Sequence, residues 1–158
     1  MSRRRKGNSR WEDIDGGSAF VIPYTVLRHP NYRRLSPYGH KLLADLACQY
    51  TGFNNGYLCA SWSLMRECGW RSSVTLHDAT LECEHYRLLL RTQQGGRNKP
   101  NLHGFSWRRI DEKPNHALDR LPTTAPTHDW KEEQPLFVRV TGKRKQLAVR
   151  TRKELFAP

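Results

Sequence analysis

No stretch of this sequence approaches the roughly 18 consecutive apolar residues that a membrane-crossing helix needs. A helical membrane span is not expected, and Arg3, Arg4, Arg5 and Lys6 are followed by no apolar segment that would direct export. The signatures of catalysis are missing as well. There is no H-E-x-x-H, no G-x-S-x-G and no phosphate loop, and "QQGGRNK" lacks the G-K-[ST] ending that cradles a nucleotide. The seven histidines are scattered. Neither an enzyme nor a cofactor is expected. No two of the four cysteines stand in C-x-x-C spacing, which argues against a zinc ribbon. Cys48, Cys68 and Cys83 take apolar-face positions of expected helices, where free thiols pack as small hydrophobes. That reading is preferred to a metal set of Cys59, Cys68, Cys83 and His85. The expectation is a soluble, cytoplasmic protein.

Acidic residues are missing from particular places rather than throughout. The chain has 158 residues and a net charge of +12. Residues 1–10 hold five basic groups and no acid, residues 87–109 hold six and no acid, and residues 138–158 carry +6. The blocks between them, 11–86 and 110–137, carry −2 and −3. Two basic tails and one basic central stretch thus surround a nearly neutral body. Such patches concentrate counterions and favour a polyanion, most often nucleic acid.

Residues 1–18 read as a flexible basic arm. Pro23 is placed to open a short helix ending near His29-Pro30. Ser36 and Pro37 then cap and open a longer helix, with Leu42, Leu43, Leu46, Ala47 and Tyr50 on one face. Gly52 and Asn54-Asn55-Gly56 end it, as residues tolerant of positive φ. "YLCA" reads as a strand. Ser61 caps a helix that Gly69 closes, and Ser72 or Ser73 caps the next, which runs to about Tyr86. On that last helix Leu76, Ala79, Cys83 and Tyr86 share the buried face. Val74, His77, Asp78, Leu81 and His85 point outward. "RLLLRT" and "LHGFSW" follow as strands about a glycine-rich basic loop. Residues 111–135 are proline-rich and acidic, without periodicity, and read as a linker. Residues 136–158 form a basic segment in which a hairpin about Gly142 is conceivable. Trp62, Trp70 and Trp107 are assigned to the core, and Trp11 and Trp130 to flexible segments.

Taken in order, "LSPYGHKLLADLACQY", "NNGYLCAS", "CGWRSSVTLHDATLECE" and "LLLRTQQGG" running to "FSW" carry a resemblance. The block from Phe20 to Asp111 is similar to winged helix-turn-helix domains of phage, plasmid and other bacterial mobile-element proteins, including replication-initiator-like ones. The fold implied is α+β, mainly α: a three-helix core over residues 19–110 with a β-hairpin wing. The sequence departs from the pattern where such domains commonly end the third helix in leucine and then glycine. Cys83 and Arg87 stand at those positions.

The resemblance implies double-stranded DNA as partner and the nucleoid of a bacterial host as location, in transcription regulation or replication initiation. The recognition-helix residues are then Arg71, Ser72, Ser73, Thr75 and His77. Arg91, Arg97, Lys99, Arg108 and Arg109 lie on or beside the wing. Arg3, Arg4, Arg5 and Lys6, with Lys143, Arg144 and Lys145, would follow the backbone from the tails. A set neutralising roughly 6–10 phosphates would lose about 10³–10⁵ in affinity between 50 and 200 mM salt. Asp78 argues against a phosphate-facing helix, while outward Val74 and Leu81 suit thymine methyls or a protein surface equally. A homodimer through Leu81 would pair two half-sites. The alternative is a phage counter-defence protein whose fold and basic tails inhibit a host protein or ribonucleoprotein.

Overall fold

A computed structural model of the chain describes residues 19–139. The basic arm, Trp11 and the hairpin expected about Gly142 lie outside the described residues. Within them the protein is α+β, with five α-helices and a three-stranded antiparallel sheet. The helices are α1 (Tyr24–Arg28), α2 (Pro30–Arg33), α3 (Pro37–Ala47), α4 (Trp62–Met65) and α5 (Ser73–His85). The strands are β1 (Leu58–Cys59), β2 (Leu89–Gln93) and β3 (Leu102–Phe105). This order is compatible with the expected winged helix.

Each boundary has a local cause. Pro30 ends one helix and opens the next, because it forces His29 into an extended conformation and needs no amide partner at a first helical position. The sequence reading saw only the first of these helices. Gly69 closes the turn after α4 in the left-handed region, as expected. Ser72 caps α5, its hydroxyl accepting the Thr75 amide at 3.3 Å. Ser61 takes the cap position of α4 without a side-chain cap bond. Positive φ before β1 falls on Gly52 and Gly56 rather than on the asparagines. The Asn54 and Asn55 side chains instead bond to the backbone, and buried Asn55 pairs with both polar groups of Phe105.

The α3–α5 contact carries the core. Leu42, Leu43 and Leu46 of α3 lie with Leu76, Ala79 and Cys83 of α5 in one buried cluster, which also holds Leu58, Met65, Trp70, Leu89 and Phe105. A polar clamp fixes how the two helices meet. A capping box sets glutamate three residues after the serine cap, so that its carboxylate can return to the cap's N–H. In α3 that position is Gly39, and Glu82 of α5 reaches across instead. It accepts the Ser36 N–H at 2.9 Å and the Ser36 hydroxyl at 2.6 Å. A Cβ on Gly39 would stand 2.7 Å from that carboxylate, so glycine makes room for it.

The turn from α5 into β2 closes as a Schellman motif in spite of its residues. The Arg87 N–H donates to the Glu84 carbonyl at 2.9 Å and the Leu88 N–H to the Cys83 carbonyl at 3.1 Å. Arg87 adopts φ 56°, so arginine holds the left-handed conformation usually given to glycine. The three strands follow the order β1-β3-β2. Beyond β2 and β3, the pair Gly96–Lys99 closes the hairpin tip, leaving Arg97 and Asn98 at its apex.

Residues 111–135, expected to form a linker, are packed on the body. Trp130, expected in a flexible segment, is 4% exposed and belongs to the core. Fully buried Asn31 fastens this strap, donating to the carbonyls of Trp130 and Glu132 and accepting the Gln134 N–H. Asp111 and Asn55 exchange two bonds at the strap's start, and Thr123 and His128 donate to Ile110 and Ser106 along it. The strap has no periodicity because isolated anchors, not a repeating face, hold it. Trp62 is a second correction, 38% exposed at the start of α4. Cys48 and Cys68 are a third: both are exposed, and only Cys83 is a core thiol. Burial pushes the Cys83 thiol well above its usual range, and the charges of Glu82 and Glu84 add to this.

Glu82→Ala is expected to lower stability by about 2 kcal/mol, since it removes two bonds to a charged group. Gly39→Ala lowers it by about 1–3 kcal/mol through crowding. In the double variant the loss falls short of the sum, because the carboxylate in the way has gone. Thermal melts followed by circular dichroism check this; strictly additive losses would show that the two residues do not meet.

Candidate nucleic-acid interface

The start of α5 and the β2–β3 hairpin hold the residues singled out for binding. Arg71, Ser72 and Ser73 are exposed at the head of the helix, His77 is exposed one turn on, and Thr75 is half-buried. Val74 is 69% exposed. Leu81 is half-buried, so it presents less surface to a second copy than the outward reading assumed. Arg71, Ser72 and Thr75 line a depression with Tyr38, Lys41, Gly69 and Trp70. Lys41 is partly engaged there, bonded to Asp45 and to the Cys68 carbonyl.

The three carboxylates of α5 all have partners inside the protein. Glu82 is held by Ser36. Glu84 receives two bonds from the Arg91 guanidinium, at 3.0 and 2.8 Å, and faces His103 Nε2 at 2.9 Å. Burial by itself would raise the Glu84 carboxyl, but the bonds from His103 and Arg91 outweigh it and hold the group below the usual carboxylate range. Asp78 pairs with Arg139 at 3.6 Å, at the far end of the strap. Residues 132–139 reach that point along α5: Glu132 pairs with Arg87, the Pro135 carbonyl bonds to His85, and the Phe137 N–H donates to the Tyr86 hydroxyl. The objection raised by Asp78 is thereby met with a countercharge.

The same geometry thins the basic set. Arg91 is occupied by Glu84 and Gln94. Arg108 and Arg109 lie beyond the end of β3. Arg108 is half-buried, its guanidinium 4.8 Å from the Phe20 ring centroid and 4.5 Å from that of Tyr50, with bonds to the Tyr50 hydroxyl and the Val21 carbonyl. Arg109 pairs with Asp111. Arg97 and Lys99 stay exposed at the hairpin tip, without an ion pair among the described residues. One acid sits nearby: Asp119 of the strap accepts the Gln94 N–H at 2.6 Å. The tail cations Arg3, Arg4, Arg5, Lys6, Lys143, Arg144 and Lys145 lie outside the described residues.

Helix and hairpin meet across a cleft of about 210 Å³. Ser73, Leu76, His77 and Thr80 line one side and Pro100, Asn101 and His103 the other, with Ala60, Ser61 and Trp62 at the end. Sequence reasoning missed Trp62, Asn101, His103 and Arg139 as members of this region. Trp62 gave a signal in hindsight, since a tryptophan directly after a serine cap sits in the exposed first turn. The other three gave none, because only tertiary contacts bring them to α5. Among the described residues no group of three or more His, Cys, Asp or Glu side chains could hold a metal ion. No helix there is long and apolar enough to cross a membrane.

Arg108→Ala is expected to cost about 1–2 kcal/mol of stability, from the lost ring contacts and a desolvated packing site. Arg97→Ala and Lys99→Ala stay within about 0.5 kcal/mol of the parent. Denaturant titration separates the two classes, and equal losses would contradict the division into structural and free cations. Comparisons with family models, with curated proteins and with solved structures return no match for this chain.

Proposed function

We propose that this is a winged helix-turn-helix protein that binds double-stranded DNA, serving a phage or other mobile element in transcription regulation or replication initiation. The observation that carries the reading is the face shared by the head of α5 and the hairpin, with every α5 carboxylate internally paired. In this reading α5 lies in the major groove. Arg71, Ser73 and His77 meet base edges or phosphates, and the amide groups of the first turn favour an anion. Arg97 and Lys99 at the tip hold the backbone, joined by the basic residues outside residues 19–139. Arg91, Arg108 and Arg109 support the fold instead.

Fluorescence anisotropy with genomic and random duplexes over a salt series tests this. Changing Arg97 and Lys99 to alanine weakens all duplexes alike and lowers the salt slope by about 1 for each cation removed. Changing Arg71 and Ser73 to alanine relaxes sequence preference; unchanged preference would remove α5 from the reading role.

The strap adds a second expectation. Arg139→Ala exposes the charge of Asp78 and weakens duplex binding about three- to fivefold, the scale of one exposed ion pair. Asp78→Asn abolishes that sensitivity, and a double variant as weak as Arg139→Ala alone would exclude masking as the cause.

One observation favours a second reading. Val74, Trp62, Leu64 and Tyr38 are exposed apolar side chains on α5, α4 and α3. A surface of that kind suits a counter-defence protein that inhibits a host protein or ribonucleoprotein. Binding to duplexes that is weak and blind to sequence in the same titrations would favour it.

A further inference from the structure

We propose that the cleft between α5 and the hairpin takes one unpaired nucleobase, so that the protein prefers duplex DNA carrying an extrahelical nucleotide. The inference rests on the nucleic-acid reading above and adds a ligand to it. At about 210 Å³ the cleft lies below the roughly 300 Å³ where sites for drug-sized ligands begin. A single planar base is the scale it suits. Its lining has what base recognition uses, an aromatic side chain and short hydrogen-bonding groups. Trp62 supplies an accessible indole, and Ser73, His77 and Asn101 supply polar groups at the rim. Asn101 is oriented, because its Oδ1 accepts the Gly95 N–H at 2.6 Å, leaving the amide's NH₂ end as a donor.

The cleft is also firmly built. His103 is 1% exposed, its Nε2 held by Glu84, and Glu84 is itself clamped by Arg91. His103 Nδ1 is buried and has no hydrogen-bond partner among the described residues. The base would come from a polymer, because the hairpin arm that ends in Pro100 and Asn101 carries Arg97 and Lys99 just before them. Phosphates flanking a captured base thus have cations beside them. An extrahelical base costs less to deliver than a paired one, since its unstacking has largely been met already.

The test uses the full chain and three probes of one sequence: a fully paired duplex, the same duplex with a one-nucleotide bulge, and that bulge made abasic. The base-bearing bulge is expected to bind about tenfold tighter than the abasic one, the scale of one base stacked on an aromatic ring. Trp62→Ala and Asn101→Ala should narrow that ratio towards one, a readout independent of their effect on the paired duplex because the two bulged probes differ only in the base. Thermal melts confirm that both variants fold. If the parent binds the paired duplex but does not distinguish base from abasic bulge, the cleft proposal is overturned and the DNA reading stands. The same holds if both variants keep the full ratio. If no probe binds, both fall.

Discussion

Helix α5 carries three carboxylates, and the architecture depends on where each of them goes. Glu82 closes the head of α3, Glu84 grips the hairpin through Arg91 and His103, and Asp78 meets the end of the strap at Arg139. Glu82 is buried and Glu84 nearly so, and a carboxylate taken out of water without partners is costly. The bonds of Glu82 and Glu84 therefore restrict α5 to an arrangement in which the head of α3 and the hairpin are in place. Breaking either of these two pairings would leave a charge stranded, whereas the more exposed pair of Asp78 with Arg139 contributes little to stability. Among the described residues, the same bonding leaves no carboxylate of α5 without a partner. Packing and surface electrostatics are here two results of one set of contacts.

The strap has a related physical basis. A body of about ninety residues buries a limited core, and any further apolar surface brought onto it contributes appreciably. Ile110 and Trp130 supply such surface from chain outside the α-helices and strands, Trp130 from a single 3₁₀ turn over Asp129–Lys131. Irregular backbone near a core must still find hydrogen-bond partners. The Asn31 side chain provides them in the strap, and the Asn55 side chain does the same for Phe105, Arg108 and Arg109 just before it. Both asparagines are fully buried, a placement that their bonds explain.

Within residues 87–109 the count of cations overstates the free positive surface. Of the six cations between residues 87 and 109, Arg87, Arg91 and Arg109 are paired with acids and Arg108 lies between two rings. Two remain at the hairpin apex. The acid-free character of that stretch was real in sequence, but Glu84 and Asp111 just outside it and the more distant Glu132 come to meet it. Charge patterning along a chain marks candidates; the partners supplied by folding decide which of them face solvent.

The sequence by itself determined most of the helices and strands, α2 excepted. Serine caps, prolines at first helical positions, the leucines of α3 and the apolar runs before and after the glycine-rich loop are local signals, and local physics acts on them directly. The buried face of α5, with Leu76, Ala79, Cys83 and Tyr86, was legible for the same reason. Arg87 was legible as a departure from glycine, although its left-handed backbone is held by bonds that no pattern displays. Only the tertiary structure decided the rest: the Glu82 clamp, the docking of residues 111–139, the withdrawal of Arg91, Arg108 and Arg109, and the cleft with Trp62, Asn101 and His103. Most of these rest on contacts between residues distant in sequence, while the pairings of Arg91 with Glu84 and of Arg109 with Asp111 are short-range and set by the turns that folding imposes; neither kind leaves a periodic trace.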